Sequence, residues 1–116
     1  MTNLVLIDKE NYPRIYDESI DKYLLIDEQK NIIGISTINN SLNFNKIRIN
    51  IIDDYRGNGY GKLLFQKTLD EYKNKYNDKE LYFKVQNKNL FNIILYKQGA
   101  VNINNDDGIL EYILPL

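Results

Sequence analysis

Ile49-Asn50-Ile51-Ile52-Asp53-Asp54-Tyr55-Arg56-Gly57-Asn58-Gly59-Tyr60-Gly61 is the stretch on which the fold turns. Up to Ile52 it continues an alternation in which Ile47, Ile49 and Ile51 face one side and Lys46, Arg48 and Asn50 the other, the period-2 pattern of a strand from Phe44 to Ile52. Three alternating glycines then make a loop. From Lys62 the apolar period becomes helical, with Leu64, Leu69, Tyr72 and Tyr76 on one stripe. A strand, a glycine loop and a helix in immediate succession place unpaired helix-start amides, and the positive end of the helix dipole, against a loop that a ligand can approach closely. That is an anion site, and phosphate is its expected guest. Arg56 adds a charged fork for phosphate oxygens.

Outward from the loop, the upstream half reads as an antiparallel meander. Leu4–Ile7 is a short first strand, and residues 9–22, interrupted by Pro13, hold at most one short helix. Tyr23–Asp27 and Ile32–Ile38 form a hairpin around residues 28–31, and residues 39–41 turn into the alternating strand. Downstream, the helix ends near residues 76–78, and Leu81–Val85 is a short buried strand. Asn89 caps a second helix, Leu90–Gln98, with Gly99 at its C-terminal glycine position. Val101–Ile103 and Ile109–Leu114 close a hairpin at Asp106-Asp107-Gly108. A right-handed crossover through the first helix makes the strands flanking it parallel.

Composition narrows the chemistry. The 116 residues fit one domain, 1–116, with enough apolar material for a core. With no Cys there is no disulfide, thiolate metal site or Cys nucleophile, and with no His the commonest general base and metal ligand are missing. Acid–base work falls to Tyr, Asp, Glu, Lys, water or the backbone. A net charge of -1 argues against binding nucleic acid by charge neutralisation, and no apolar run is long enough to span a membrane. The N-terminus lacks a signal-peptide pattern, so the expected location is cytoplasmic.

The loop fails two phosphate-binding fingerprints. A Walker loop needs Ser or Thr after Gly-Lys, and Leu63 stands there; the dinucleotide pattern G-x-G-x-x-G begun at Gly57 meets Lys62 at its third glycine. Arg-x-x-Gly-x-Gly, as Arg56, Gly59 and Gly61, does fit. On these residues, and on the wider string from Ile49, the chain resembles the GCN5-related N-acetyltransferase (GNAT) family, in which this loop holds the pyrophosphate of coenzyme A. Asp53 replaces the family's usual Pro. Further on, Val85-Gln86-Asn87-Lys88-Asn89 and Leu95-Tyr96-Lys97-Gln98-Gly99-Ala100 resemble the family's fifth strand and fourth helix, with Gly99 one place early. The likeness covers roughly Ile32 to Leu114 in element order.

The resemblance implies a GNAT-like α/β (α+β) domain: a mixed, mostly antiparallel sheet of six to seven strands, with a central parallel pair and helices packed on it. It implies transfer of the acetyl group of acetyl-CoA to a primary amine of a protein, peptide or small molecule, by direct attack in a ternary complex. Cofactor contacts are expected from Ile49, Asn50, Ile51, Arg56, Gly57, Asn58, Gly59, Tyr60, Gly61, Lys62, Asn89 and Tyr96. Tyr96 matches the family's general acid, and the backbone near Ile51 is the expected oxyanion donor. The Glu that some relatives use as a base is replaced by Lys84. Family members usually carry two helices between the first two strands, so the short front end here implies an open acceptor side. That suits a protein or peptide amine, or a pocket completed by a second subunit in a homodimer. A catalytically weak coenzyme A sensor and a protein-binding scaffold on the same fold are the competing readings.

Overall fold

The computed structural model describes residues 1–116. Four strands, β1 (Asn3–Leu6), β2 (Asp21–Ile26), β3 (Ile32–Ile38) and β4 (Ile47–Ile51), pair antiparallel in sequence order. After a one-turn 3-10 helix (Asp53–Tyr55) come α1 (Tyr60–Lys75), β5 (Glu80–Gln86), α2 (Phe91–Lys97), β6 (Val101–Asp106) and β7 (Ile109–Pro115). The last three strands form a second sheet in the order β5-β7-β6. Seven strands, mostly antiparallel, with two helices give the architecture expected. No helix is long and apolar enough to cross a membrane.

Residues 8–20 form turns rather than the short helix allowed for above. Asp8 Oδ1 accepts from the amides of Glu10 and Asn11, both at 2.8 Å, and Asn11 Nδ2 donates to the Leu6 carbonyl at 2.9 Å. Such side-chain bonds offer the backbone an alternative to helix.

α1 buries Leu64, Phe65, Thr68, Leu69 and Tyr72, a single face at helical spacing, against β3 and β4. Phe65 and Thr68 extend the stripe beyond its aliphatic members. Tyr76 lies just past the helix end, its ring 4.8 Å from that of Tyr72. The fully buried Phe65 packs its ring 6.0 Å from Phe83 on β5 and 5.4 Å from Phe91 on α2. This aromatic trio joins both helices to the second sheet on one side, each ring pair adding about 0.5–1.5 kcal/mol beyond burial. Gly34 lets β3, β4 and α1 meet: a Cβ there would stand 2.8 Å from the Asn50 carbonyl oxygen and 3.2 Å from Leu64 Cδ2. Thr68 and Ser36 are fully buried polar residues; their hydroxyls share a 2.6 Å hydrogen bond, and Thr68 also donates to the Leu64 carbonyl at 2.8 Å.

The expected central parallel pair takes an unusual form. β4 and β5 share no ladder and belong to different sheets. They meet at Asn45, which has φ +57°. Its amide donates to the Tyr82 carbonyl at 2.9 Å, its Oδ1 accepts from the Lys84 amide at 3.0 Å, and its Nδ2 donates to the Lys84 carbonyl at 3.1 Å. Bonds that straddle Phe83 in this way follow the pattern of a parallel bridge, with the side-chain oxygen standing in for the main-chain carbonyl. Phe44 packs edge-on to Tyr82 beside this junction, at 6.4 Å. Beyond it the two strands run in the same direction and separate.

Candidate acetyl-donor cleft

The register of β3 on β4 decides which polar groups of β4 are free. The Ile52 amide donates to the Ile33 carbonyl at 2.9 Å, and Gly34 stands opposite Ile51. Polar groups alternate in direction along an antiparallel strand, so those of Ile49 and Ile51 point away from β3, toward the gap before β5. Arg56 Nε donates to the Ile51 carbonyl at 2.9 Å. The amides of Ile49 and Ile51 have no protein acceptor there.

The loop beyond β4 supplies a second set of donors. Gly57 and Gly59 both have φ +81°, a region that costs residues with a Cβ about 1–2 kcal/mol. Asn58 Nδ2 donates to the carbonyls of Tyr55 and Arg56, each at 3.2 Å, which holds the turn closed. The first bond into α1 runs from the Leu63 amide to the Gly59 carbonyl at 3.2 Å. The amides of Gly57, Asn58, Gly59, Tyr60, Gly61 and Lys62 therefore donate to no protein acceptor. The Arg56 amide is not among them, because it bonds the Asp53 carbonyl at 3.2 Å. An uninterrupted run of main-chain donors at the N-terminus of a 16-residue helix attracts anions through both hydrogen bonding and the helix dipole.

The two donor sets open into one cleft of about 940 Å³ between β4 and β5, floored by Ile49, Ile51, Phe91 and Ile94. Of the residues proposed from sequence, Ile49, Asn50, Ile51, Arg56, Gly57, Gly59, Tyr60, Gly61, Lys62 and Asn89 line it, while Asn58 braces the loop from behind. Asn89 Oδ1 accepts from the Phe91 amide at 2.9 Å and so starts α2, as its sequence position suggested. Arg56 differs from the expected phosphate fork. Its guanidinium folds back onto β4, bonding the Ile51 carbonyl and Asn50 Oδ1 (3.3 Å) and pairing with Asp53 at 3.2 Å. It ties the loop to the strand end and keeps two N–H donors over.

Tyr96 stands apart from the other expected contacts. It is 79% exposed, its hydroxyl makes no hydrogen bond, and it is not among the residues lining the cleft. The reason is helical phase. Phe91, Ile94 and Leu95 set the inward face of α2, and Ile93 and Lys97 flank the cleft, which leaves position 96 on the outer side. Arg48, Lys84, Gln86 and Lys97 were missed as cleft residues. The alternation of β4 and β5 carries the signal for the first three, since each is the polar neighbour of an inward apolar residue. A smaller recess of about 590 Å³ lies at the closed end of the junction, where Lys46 pairs with Asp78 at 3.5 Å and Tyr82 donates to Glu80 at 2.6 Å.

Comparison with known proteins bears on the family and the fold. The family model described as the acetyltransferase (GNAT) family matches residues 4–100. No curated protein matches the chain. Among solved structures, variant forms of the Vibrio cholerae spermidine/spermine N-acetyltransferase SpeG superpose with a TM-score of 0.72 at 18% identity, covering 99% of this chain and 95% of that one. The dodecameric V. cholerae spermidine N-acetyltransferase in an intermediate state gives 0.73 at 16% identity, covering 98% and 93%. The V. cholerae enzyme in complex with CoA and spermine gives 0.63 at 22% identity, covering 90% and 70%.

Proposed function

The chain belongs to the acetyltransferase (GNAT) family, and we propose that it transfers the acetyl group of acetyl-CoA to a primary amine by direct attack within a ternary complex. The observation that carries this reading is the run of unaccepted amides from Gly57 to Lys62 opening into the same cleft as the free edge of β4. These residues suit acetyl-CoA. The loop amides match a diphosphate, and the Ile49 and Ile51 amides match the carbonyls of an extended, amide-bearing arm. One V. cholerae structure of this fold is a complex with CoA, in line with such a fit.

Acetyl-CoA supplies an activated thioester. This chain holds the phosphates on the loop, lays the arm along β4, and aims the Ile51 amide at the carbonyl oxygen that gains negative charge. Lys62 and Lys97 line the same cleft and favour the anionic cofactor over neutral thioesters. A thiol is a good enough leaving group near neutral pH to depart without a dedicated acid. The exposed Tyr96 is therefore not needed in that role. Holding amine and thioester together provides much of the acceleration, since positioning alone is worth up to about 7–11 kcal/mol. Residues 8–20, between β1 and β2, form turns in place of helices, which suits an open acceptor side.

Two measurements test the reading together. Calorimetry is expected to show binding of acetyl-CoA, and thiol release with a panel of amines is expected to show turnover. Absence of binding overturns the assignment of the loop. Binding without release for any amine leaves a coenzyme A-binding module in place of an enzyme.

A further inference from the structure

The inward side chains of β4 and β5 fix what the opposite face presents. Ile47 and Phe83 are buried among the helices, and Ile49, Ile51 and Val85 share that side. Strand alternation therefore turns Arg48, Asn50, Lys84 and Gln86 to the helix-free face, where they flank the gap through which an acceptor reaches a thioester laid along β4. All four are exposed.

The charges on this gap have one sign. Arg48, Arg56, Lys62, Lys84 and Lys97 line the cleft, and no carboxylate does. The nearest acids are already committed. Glu111 Oε1 lies 3.5 Å from Lys84 Nζ, and its Oε2 accepts from Asn104 Nδ2 at 3.3 Å. Asp53 pairs with Arg56. Lys84 also stands over the Phe44 ring at 4.0 Å, which fixes its stem. The Arg48 side chain, by contrast, makes no ion pair and donates no hydrogen bond within the chain; it is the one cation on the helix-free side of the gap with its whole fork free. A planar guanidinium of this kind matches a carboxylate bidentately.

Resting on the acetyltransferase reading above, we propose that the acceptor is a primary amine bearing a carboxylate a few atoms away, that Arg48 grips the carboxylate, and that polyamines are rejected. A polycation entering this gap meets Arg48, which no acid offsets, beside a Lys84 that already occupies Glu111. An amino-carboxylate meets a free fork, with the Asn50 and Gln86 amides beside it. The same cations favour the neutral form of the incoming amine, which is the form that attacks. The fold is shared with spermidine/spermine acetyltransferases, yet the charge at the gap selects the opposite class of amine.

The test compares matched acceptors on the full chain: amino acids against their carboxamides, and both against spermidine, with thiol release as readout. We expect kcat/KM at least tenfold higher for the carboxylate member of each pair and little turnover of spermidine. Arg48→Gln should remove that tenfold preference, and Arg48→Glu should shift preference toward spermidine. Thermal melts of both variants check that the exposed substitution leaves the fold intact. A wild-type preference for spermidine overturns the proposal, as does an Arg48→Gln effect equal on both members of a pair. If acetyl-CoA binds normally in those cases, only the acceptor class is wrong; if it does not bind at all, the family reading of the cleft falls with it.

Discussion

Gly59→Ala puts the loop mechanism to a quantitative test. Gly59 has φ +81° and precedes the first residue of α1, and a Cβ built there has no neighbour within 4 Å. The substitution thus introduces no clash, only backbone strain, of about 1–2 kcal/mol. That strain has two outlets. If the loop keeps its shape, the cost appears as lost stability, a fall in Tm of about 4–8 °C for a domain of this size. If the loop relaxes to negative φ, the amides of Gly59 and its neighbours turn away, stability is retained, and acetyl-CoA affinity falls about 5–30-fold. Calorimetry and thermal melting on one preparation read both outlets. Gly61→Ala is the internal control. It lies inside α1 without positive φ, and its Cβ would come 3.2 Å from the mobile end of Ile94. Its gain in helix propensity, about 1 kcal/mol, offsets that contact. Gly59→Asn, which tolerates the left-handed region, should recover part of the loss. A Gly59→Ala protein with both Tm and affinity unchanged refutes the conclusion that left-handed glycines hold the donors in place.

Further outcomes follow from the same structure. Tyr96→Phe should leave kcat within about twofold of wild type, because the hydroxyl is exposed and off the cleft; a drop of a hundredfold or more would restore its role as an acid. Thr68→Val leaves the buried Ser36 hydroxyl without its partner and should cost about 1–3 kcal/mol in urea denaturation, most of it recovered by adding Ser36→Ala. Strictly additive losses would show that the two hydroxyls are not coupled. Tyr72 donates to Asp78, and this bond, with Lys46 nearby, lowers the carboxyl's pKa below the usual range. A depressed folded-state pKa stabilises above the unfolded value and is lost as pH falls through the folded one. The Tm difference between wild type and Asp78→Asn should therefore be full above about pH 5 and shrink below about pH 4. A difference constant with pH would count against the bond.

The elements were legible because each carries a short-range cause. Ile32–Ile38 is predicted to the residue, and Asp107-Gly108, with φ +52° and +79°, makes the two-residue hairpin turn that its sequence requires. The glycine loop was legible for the same reason, since positive φ at Gly57 and Gly59 is a local demand. What escaped was phase and partnership. Tyr96 has the right spacing from Asn89 yet sits on the outer side of α2, because Phe91, Ile94 and Leu95 decide which way that helix rolls. Arg56 satisfies the motif but spends its fork on Ile51, Asn50 and Asp53. Neither choice is visible until the neighbouring elements are in place.

The cleft itself has a cause that no motif announces. Two strands running side by side would normally zip along their length and bury the donors of Ile49 and Ile51 in a ladder. Asn45 prevents this. With φ +57° it pairs its own amide with Tyr82 and lends its side chain to Lys84, so the bridge forms once and no ladder follows it. Asn accepts the left-handed region more readily than most residues, and its amide reproduces a peptide group's donor and acceptor. Fastened at Asn45, the strands diverge toward Ile51 and Gln86, where the loop amides begin. The free edge of β4 thus has its origin at the junction: a single residue that pairs the sheets at one end leaves them unpaired at the other.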